Sequence, residues 1–125
     1  MSIATILVVL LSGLVVFQAL LAFGAPLGKA AWGGQHNSVL PRKLRISSAI
    51  SVLFLLFVIS VVLSFTDTVS LYANSFEKVF LWIMAIYFGI GVIMNAISRS
   101  KIERIWSPYS AVLCVLVVTA LMQVN

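Results

Sequence analysis

The chain has very little charge. Of its 125 residues only 9% are Asp, Glu, Lys or Arg, and just three are acidic, whereas about 25% of the residues in an ordinary soluble domain are charged. A water-soluble fold of this size would have too few charged side chains to cover its surface. Together with a hydrophobic content of 62%, this scarcity excludes a soluble domain. It predicts an integral membrane protein with one domain, residues 1–125.

Cysteine, histidine and carboxylates are equally scarce. The single cysteine, Cys114, lies in an apolar run, where it cannot form an intramolecular disulfide and fits a small buried residue. One histidine, His36, and the carboxylates of Asp67, Glu77 and Glu103 do not show the spacing of a metal site. The glycines before residue 35 also lack the spacing of a phosphate-binding loop. We therefore expect no metal and no cofactor.

Four long apolar runs dominate the sequence. Each has close to the ~20 residues that a helix needs to cross a bilayer core. The first run contains no Lys or Arg and exceeds the apolar region of a usual signal peptide, so we expect a retained helix. The runs predict an all-α membrane protein, an up-down bundle of four transmembrane helices at about 3–23, 46–65, 77–97 and 108–124.

The basic residues lie almost entirely in two of the three loops. Loops 1 and 3, residues 24–45 and 98–107, hold seven of the eight: Lys29, Arg42, Lys43, Arg45, Arg99, Lys101 and Arg104. The positive-inside rule then predicts a multi-pass protein of the cell membrane with both loops in the cytoplasm and both termini outside. This placement explains the net charge of +5 without nucleic acid as a partner. Anionic lipid headgroups are the partners we expect at loops 1 and 3.

Polar side chains in the helices collect at the end of the bundle that carries these loops. They predict a polar pocket facing the cytoplasm, because hydrogen-bonding groups in a bilayer turn toward the protein interior. Two simpler interpretations remain open. Gln18 and Asn95 could bond to each other and hold the bundle together, and the serines could bond to carbonyls of their own helix. The candidate pocket residues are Gln18, Ser47, Ser51, Asn95 and Tyr109.

Loop 1, GAPLGKAAWGGQHNSVLPRKLR, is the only long polar, glycine-rich stretch. Its glycines permit sharp turns and its tryptophan suits the membrane interface, so we predict a lid over the pocket. Arg99 and Glu103 would form an i, i+4 pair if helix 3 continued through loop 3. His36 and Glu103 could form an acid–base pair. The candidate loop face comprises Trp32, His36, Arg42, Arg45, Arg99, Glu103 and Arg104.

Two segments carry a resemblance to known proteins. GAPLGKAAWGG…LPRKLR and NAISRSKIERIWSP resemble segments of an uncharacterised family of small four-helix bacterial integral membrane proteins. The resemblance implies a four-helix fold in the bacterial inner membrane and no particular activity. In that family the position of Lys29 is often acidic, and this departure from the family pattern argues against a carboxylate role in loop 1. Four-span multidrug transporters do not match, because helix 1 lacks their glutamate.

No Asp, Glu, Lys, Arg or His lies near the middle of a predicted helix, although ion and proton pathways normally contain such groups. The preferred interpretation is a partner-binding or accessory membrane protein without catalytic activity. A transporter or channel for small solutes, formed by a homo-oligomer, is one alternative. The other is an enzyme that acts on a lipid or isoprenoid at the cytoplasmic interface through His36, Glu103 and the arginines. A second copy of the chain or another membrane protein would be the protein partner.

Overall fold

The computed structural model describes residues 2–123 and contains four helices that are long and apolar enough to cross a membrane. Within the described residues there is no β-strand. This confirms the predicted all-α fold with four membrane-length helices. Helix α1 spans Ile3–Ala22, α2 Arg42–Phe65, α3 Asn74–Ala96 and α4 Trp106–Gln123, and single 3₁₀ turns lie at Gly28–Ala30, Trp32–Gly34 and Glu103–Ile105.

Three helices begin earlier than the apolar pattern predicts. Helix α2 starts at Arg42 rather than at residue 46, directly after Pro41, whose φ of −64° and ψ of 158° place it at the N-cap. Its first turn is therefore polar and basic, because a helix can continue beyond the hydrocarbon core wherever its backbone bonds are made. Helices α3 and α4 start at Asn74 and Trp106. The predicted last residue of helix 4, Val124, lies outside the described residues.

The helices pack as two hairpins. Helix α1 lies along α2 and α3 along α4, whereas contacts between α2 and α3 are fewer. At the loop 2 end an aromatic cluster fills the space between α2 and α3, with the rings of Phe57 and Phe80 5.2 Å apart and nearly perpendicular. Next to that cluster lies the apolar core, whose buried members include Leu7, Leu11, Val58, Val61, Met84, Phe88, Leu113 and Val117. The opposite end, near loops 1 and 3, is less completely filled.

Tyr109 joins the two hairpins. Its hydroxyl donates a hydrogen bond to the carbonyl oxygen of Leu10 on α1. The approach depends on Gly13, since a Cβ there would lie 2.7 Å from the same hydroxyl. The tyrosine that the sequence assigned to the pocket therefore serves helix packing.

Tyr109→Phe should lower the free energy of unfolding by about 1 kcal/mol, the net contribution of one hydrogen bond. Unfolding can be followed by tryptophan fluorescence during denaturant titration in mixed micelles. Tyr87→Phe is the matched control, because Tyr87 is 56% exposed on the outer surface of α3. Equal effects of the two substitutions would contradict the role given to Tyr109.

Candidate functional site

A cavity of about 510 Å³ lies between the two hairpins at the end that carries loops 1 and 3. Its size falls within the roughly 300–1,000 Å³ of small-molecule sites. Small side chains create the space, since Ser51 on α2, Gly91 on α3 and Ser110 on α4 all line it. Gly91 also allows α3 to approach α4, because a Cβ there would lie 3.1 Å from the Ser110 hydroxyl.

Two amide side chains line the inner part of the cavity without pairing to each other. The Asn95 Nδ2 atom donates to the carbonyl of Gly91 in its own helix at 2.8 Å. The Gln18 Oε1 atom is buried and accepts no hydrogen bond. A buried acceptor without a donor is costly, at about 1–3 kcal/mol. Gln18 and Asn95 thus do not close the bundle by bonding to one another.

The two predicted pocket serines of α2, Ser47 and Ser51, bond within their own helix. Ser47 donates to the carbonyl of Lys43 at 3.1 Å and Ser51 donates to the carbonyl of Ser47 at 3.0 Å. Ser51 lines the cavity, whereas Ser47 and Tyr109 are not part of its wall. The wall begins at Ser51 of α2, and Ser47 lies one turn nearer the start of that helix, outside the cavity. Three of the five predicted pocket residues therefore meet at the cavity: Gln18, Ser51 and Asn95.

Glu103 connects the two loops above the cavity. The residue is only 7% exposed. Its Oε2 atom accepts the backbone N–H of Gly33 at 3.0 Å, and its Oε1 atom accepts the hydroxyl of Ser98. The condition for an Arg99–Glu103 pair is not met, because α3 ends at Ala96 and Arg99 lies exposed in the loop. The carboxylate instead holds loop 1 against loop 3.

Three further hydrogen bonds attach loop 1 to its surroundings. The Trp106 indole N–H donates to the carbonyl of Ala30 at 2.9 Å, and the Ser100 hydroxyl donates to the carbonyl of Lys29. The Trp32 indole N–H donates to the hydroxyl of the fully buried Ser48 at 3.1 Å. Residues Ala30, Ala31 and Trp32 line the cavity. Loop 1 therefore forms the part of the cavity wall that lies over this end of the bundle.

The loop also has a small apolar core of its own. Leu21 at the end of α1, Ala31 and Leu40 are buried together, with Phe17 and Leu44 packed around them. The loop closes on itself where the Gly28 N–H donates to the carbonyl of Ser38 at 2.7 Å. Compact loops of this kind pack their own side chains rather than hanging free. The lid is a folded segment.

Trp32 has an unusual backbone conformation at the centre of the lid. Its φ is +52°, and Gly33 and Gly34 follow at +80° and +69°. A bulky residue rarely adopts positive φ, and such strain costs about 1–3 kcal/mol. The bonds of the Trp32 indole to Ser48 and of the Gly33 N–H to Glu103 hold this conformation. Backbone strain of this kind often marks a functional site.

The other predicted loop-face residues lie away from the cavity wall. Arg45 donates from Nε to the carbonyl of Ala22 at the end of α1, at 3.1 Å, and Arg104 donates from Nε to the carbonyl of Ser98 at 2.8 Å. Arg42 is exposed, and His36 is half-buried but does not line the cavity. The predicted His36–Glu103 pair is thus not brought together at the cavity. Trp106 and Ser110 were not predicted for the pocket, yet both line it.

A smaller pocket of about 340 Å³ lies at the loop 2 end. It contains the carboxylates of Asp67 and Glu77, and the Oε2 atom of Glu77 is buried without a hydrogen-bond partner. Two carboxylates are too few for the usual metal site. Among residues 2–123 there is no group of three or more His, Cys, Asp or Glu side chains that could hold a metal ion.

Comparisons with known proteins add no assignment. The chain matches no family model, no curated protein and no solved structure. The covered cavity is thus the feature from which a function can be inferred.

Proposed function

We propose that the chain is a multi-pass membrane protein without catalytic activity that binds a ligand in the cavity beneath loop 1. It would act as a binding or accessory module of the bacterial cytoplasmic membrane. The clustering of basic residues in loops 1 and 3 supports an orientation with the lid in the cytoplasm and both termini outside. The same residues could hold anionic headgroups around the lid. A second copy or another membrane protein would then receive or supply the ligand.

The observation that carries this proposal is a preformed cavity under a lid that is itself folded. Four hydrogen bonds, from Gly33, Trp32, Trp106 and Ser100, keep loop 1 above a space that the helices do not fill. Gln18 lines this space, and its Oε1 atom is buried without a hydrogen-bond donor. Space, a cover and an unused acceptor together are typical of a ligand site.

The geometry supports ligand binding more than catalysis or the transport of a solute through the protein. Both oxygens of Glu103 are engaged by the lid and by Ser98, and His36 is absent from the cavity wall. A general acid or base needs to reach its substrate within hydrogen-bonding distance. Toward the loop 2 end, the space is occupied by the apolar core and by the rings around Phe57. Within the described residues the cavity does not extend past this core.

The binding proposal predicts that Ser51→Phe reduces ligand occupancy about tenfold or more, a loss of at least 1.4 kcal/mol in binding. The phenyl ring would occupy the cavity that Ser51 lines. Native mass spectrometry of protein purified in mild detergent measures the fraction of chains with bound ligand. Ser47→Phe is the matched control, because Ser47 lies one turn earlier, bonds in the same way to its own helix and does not line the cavity.

Two results would contradict the proposal. One is wild-type protein that carries no ligand from the membrane and gains none when its purification is repeated in native nanodiscs. The other is equal occupancy in the Ser51→Phe and Ser47→Phe variants.

A further inference from the structure

The cavity opens sideways between α2 and α3. Its wall includes Phe54 of α2, 38% exposed, and Tyr87, Ile90 and Met94 of α3, which are 56–60% exposed. These side chains belong at once to the cavity and to the outer surface of the bundle. The rings of Phe54 and Tyr87 are 6.1 Å apart and form the contact at one edge of this opening. In a membrane this surface faces lipid, so the portal admits molecules dissolved in the bilayer.

The wall is apolar at the portal and partly polar on the sides that face the protein interior. Phe54, Ile90 and Met94 lie at the portal, whereas Gln18, Asn95 and Ser110 line the cavity from α1, α3 and α4. Of the polar atoms there, Asn95 Nδ2 is already bonded to Gly91, and Gln18 Oε1 is buried with no donor. A ligand that fits this wall has an apolar chain at the portal and a hydrogen-bond donor at its inner end.

The charges of the wall restrict the polar head of the ligand. Among the described residues, Glu103 is the only charged side chain that lines the cavity, and no Lys or Arg does so. A phosphate head would meet a carboxylate and no cation, which makes its burial unfavourable. A cationic head would find the Glu103 oxygens already engaged by Gly33 and Ser98. An uncharged head that carries a hydroxyl satisfies Gln18 without a buried charge.

We infer that the ligand is an uncharged, hydroxyl-bearing amphiphile of the bilayer, a long-chain alcohol or a glyceride, which enters between α2 and α3. Its chain leaves through the portal beside Phe54 and Tyr87. Its hydroxyl donates to Gln18 Oε1, which is buried in the free protein and turns toward the ligand when it binds. This inference rests on the proposed binding function and adds the chemical class of the ligand and its route. Anionic lipids remain partners of the basic loops, outside the cavity.

The test uses four photoreactive probes that share one long chain and differ only in the head: alcohol, methyl ether, primary amine and phosphate monoester. Each is added to the purified full-length chain in nanodiscs, and the labelled peptides are identified by mass spectrometry. We expect the alcohol to label α2 and α3 at the portal about tenfold more efficiently than the ether, because the ether leaves the Gln18 acceptor unpaired. Gln18→Met should abolish the difference between alcohol and ether. Excess unlabelled glyceride should compete with the alcohol.

The outcomes separate this inference from the function on which it rests. Preferential labelling by the phosphate or the amine would overturn the ligand class while leaving a binding function. A water-soluble compound bound in native mass spectra, together with no labelling by any probe, would also overturn the ligand class and leave a binding function. Cross-linking between two copies through the portal residues would show that a second chain covers the opening and would overturn the route. The alcohol–ether comparison on the wild-type chain decides the class even if Gln18→Met does not fold.

Discussion

Glu103→Ala is expected to release loop 1 and to lower the free energy of unfolding by about 3 kcal/mol, since hydrogen bonds to a charged group contribute about 1.5–3 kcal/mol each. The substitution removes the acceptor of the Gly33 N–H and of the Ser98 hydroxyl in one step. The relief of a buried charge offsets part of this loss. Unfolding in mixed micelles measures the stability. Hydrogen exchange measured by mass spectrometry should show faster exchange around Gly33.

Two further variants make the Glu103 prediction specific. Glu103→Gln keeps one acceptor oxygen, so its effect should lie between those of wild type and alanine. Asp67→Asn neutralises a carboxylate that is exposed in loop 2 and should change the free energy of unfolding by less than about 0.5 kcal/mol. If Glu103→Ala left loop 1 exchange at the wild-type rate, the carboxylate would not be what holds the lid.

Gly28→Ala is expected to have the second largest effect, about 2 kcal/mol of destabilisation, within the range for side chains forced into packed sites. A Cβ at Gly28 would overlap the carbonyl oxygens of Ser38 and His36. These are backbone atoms, so the loop itself must move, and the Gly28 N–H bond to Ser38 would lengthen. We expect loss of protection in loop 1 and reduced ligand occupancy in native mass spectra.

Gly89→Ala is the control for Gly28→Ala. Gly89 lies within α3, and the nearest contact of an added Cβ would be the sulfur of Cys114 at 4.0 Å. Alanine has the higher helix propensity by up to about 1 kcal/mol, so stability should be unchanged or slightly higher. Equal destabilisation by the two alanines would show that the loop closure at Gly28 is not a special constraint.

The existence of four spans could be predicted because the length of an apolar run and the thickness of a bilayer are directly comparable. The first residues of the helices could be predicted less well from the sequence. The first turn of α2, from Arg42, is basic and lies outside the apolar run, and hydrophobicity carries no information about helices beyond the hydrocarbon. The fold of loop 1 over the bundle end could be anticipated from its glycines, although the bonds from Trp106 and Ser100 could not.

The candidate site could be predicted only in part, because a membrane helix is apolar on every side and hides which face turns inward. The extent of a cavity along one face is hidden as well, since Ser47 and Ser51 share a face of α2 and only Ser51 lies on the cavity wall. Tyr109 lies at the predicted depth, but its hydroxyl donates a hydrogen bond to the carbonyl oxygen of Leu10 on α1. Gly91 and Ser110 line the cavity, and their small size leaves that space open. Small residues indicate close packing and empty space equally well until their neighbours are known.

We propose that the space beside Gln18 is an occupied ligand site, and a density map of the protein in a lipid environment would show its occupant. We expect elongated density whose polar end lies about 3 Å from Gln18 Oε1, a hydrogen-bonding distance. This density should continue past Phe54 and Tyr87 into the bilayer. A cavity that has collapsed, with the Gln18 and Asn95 side chains bonded to each other and no density between α2 and α3, would contradict it.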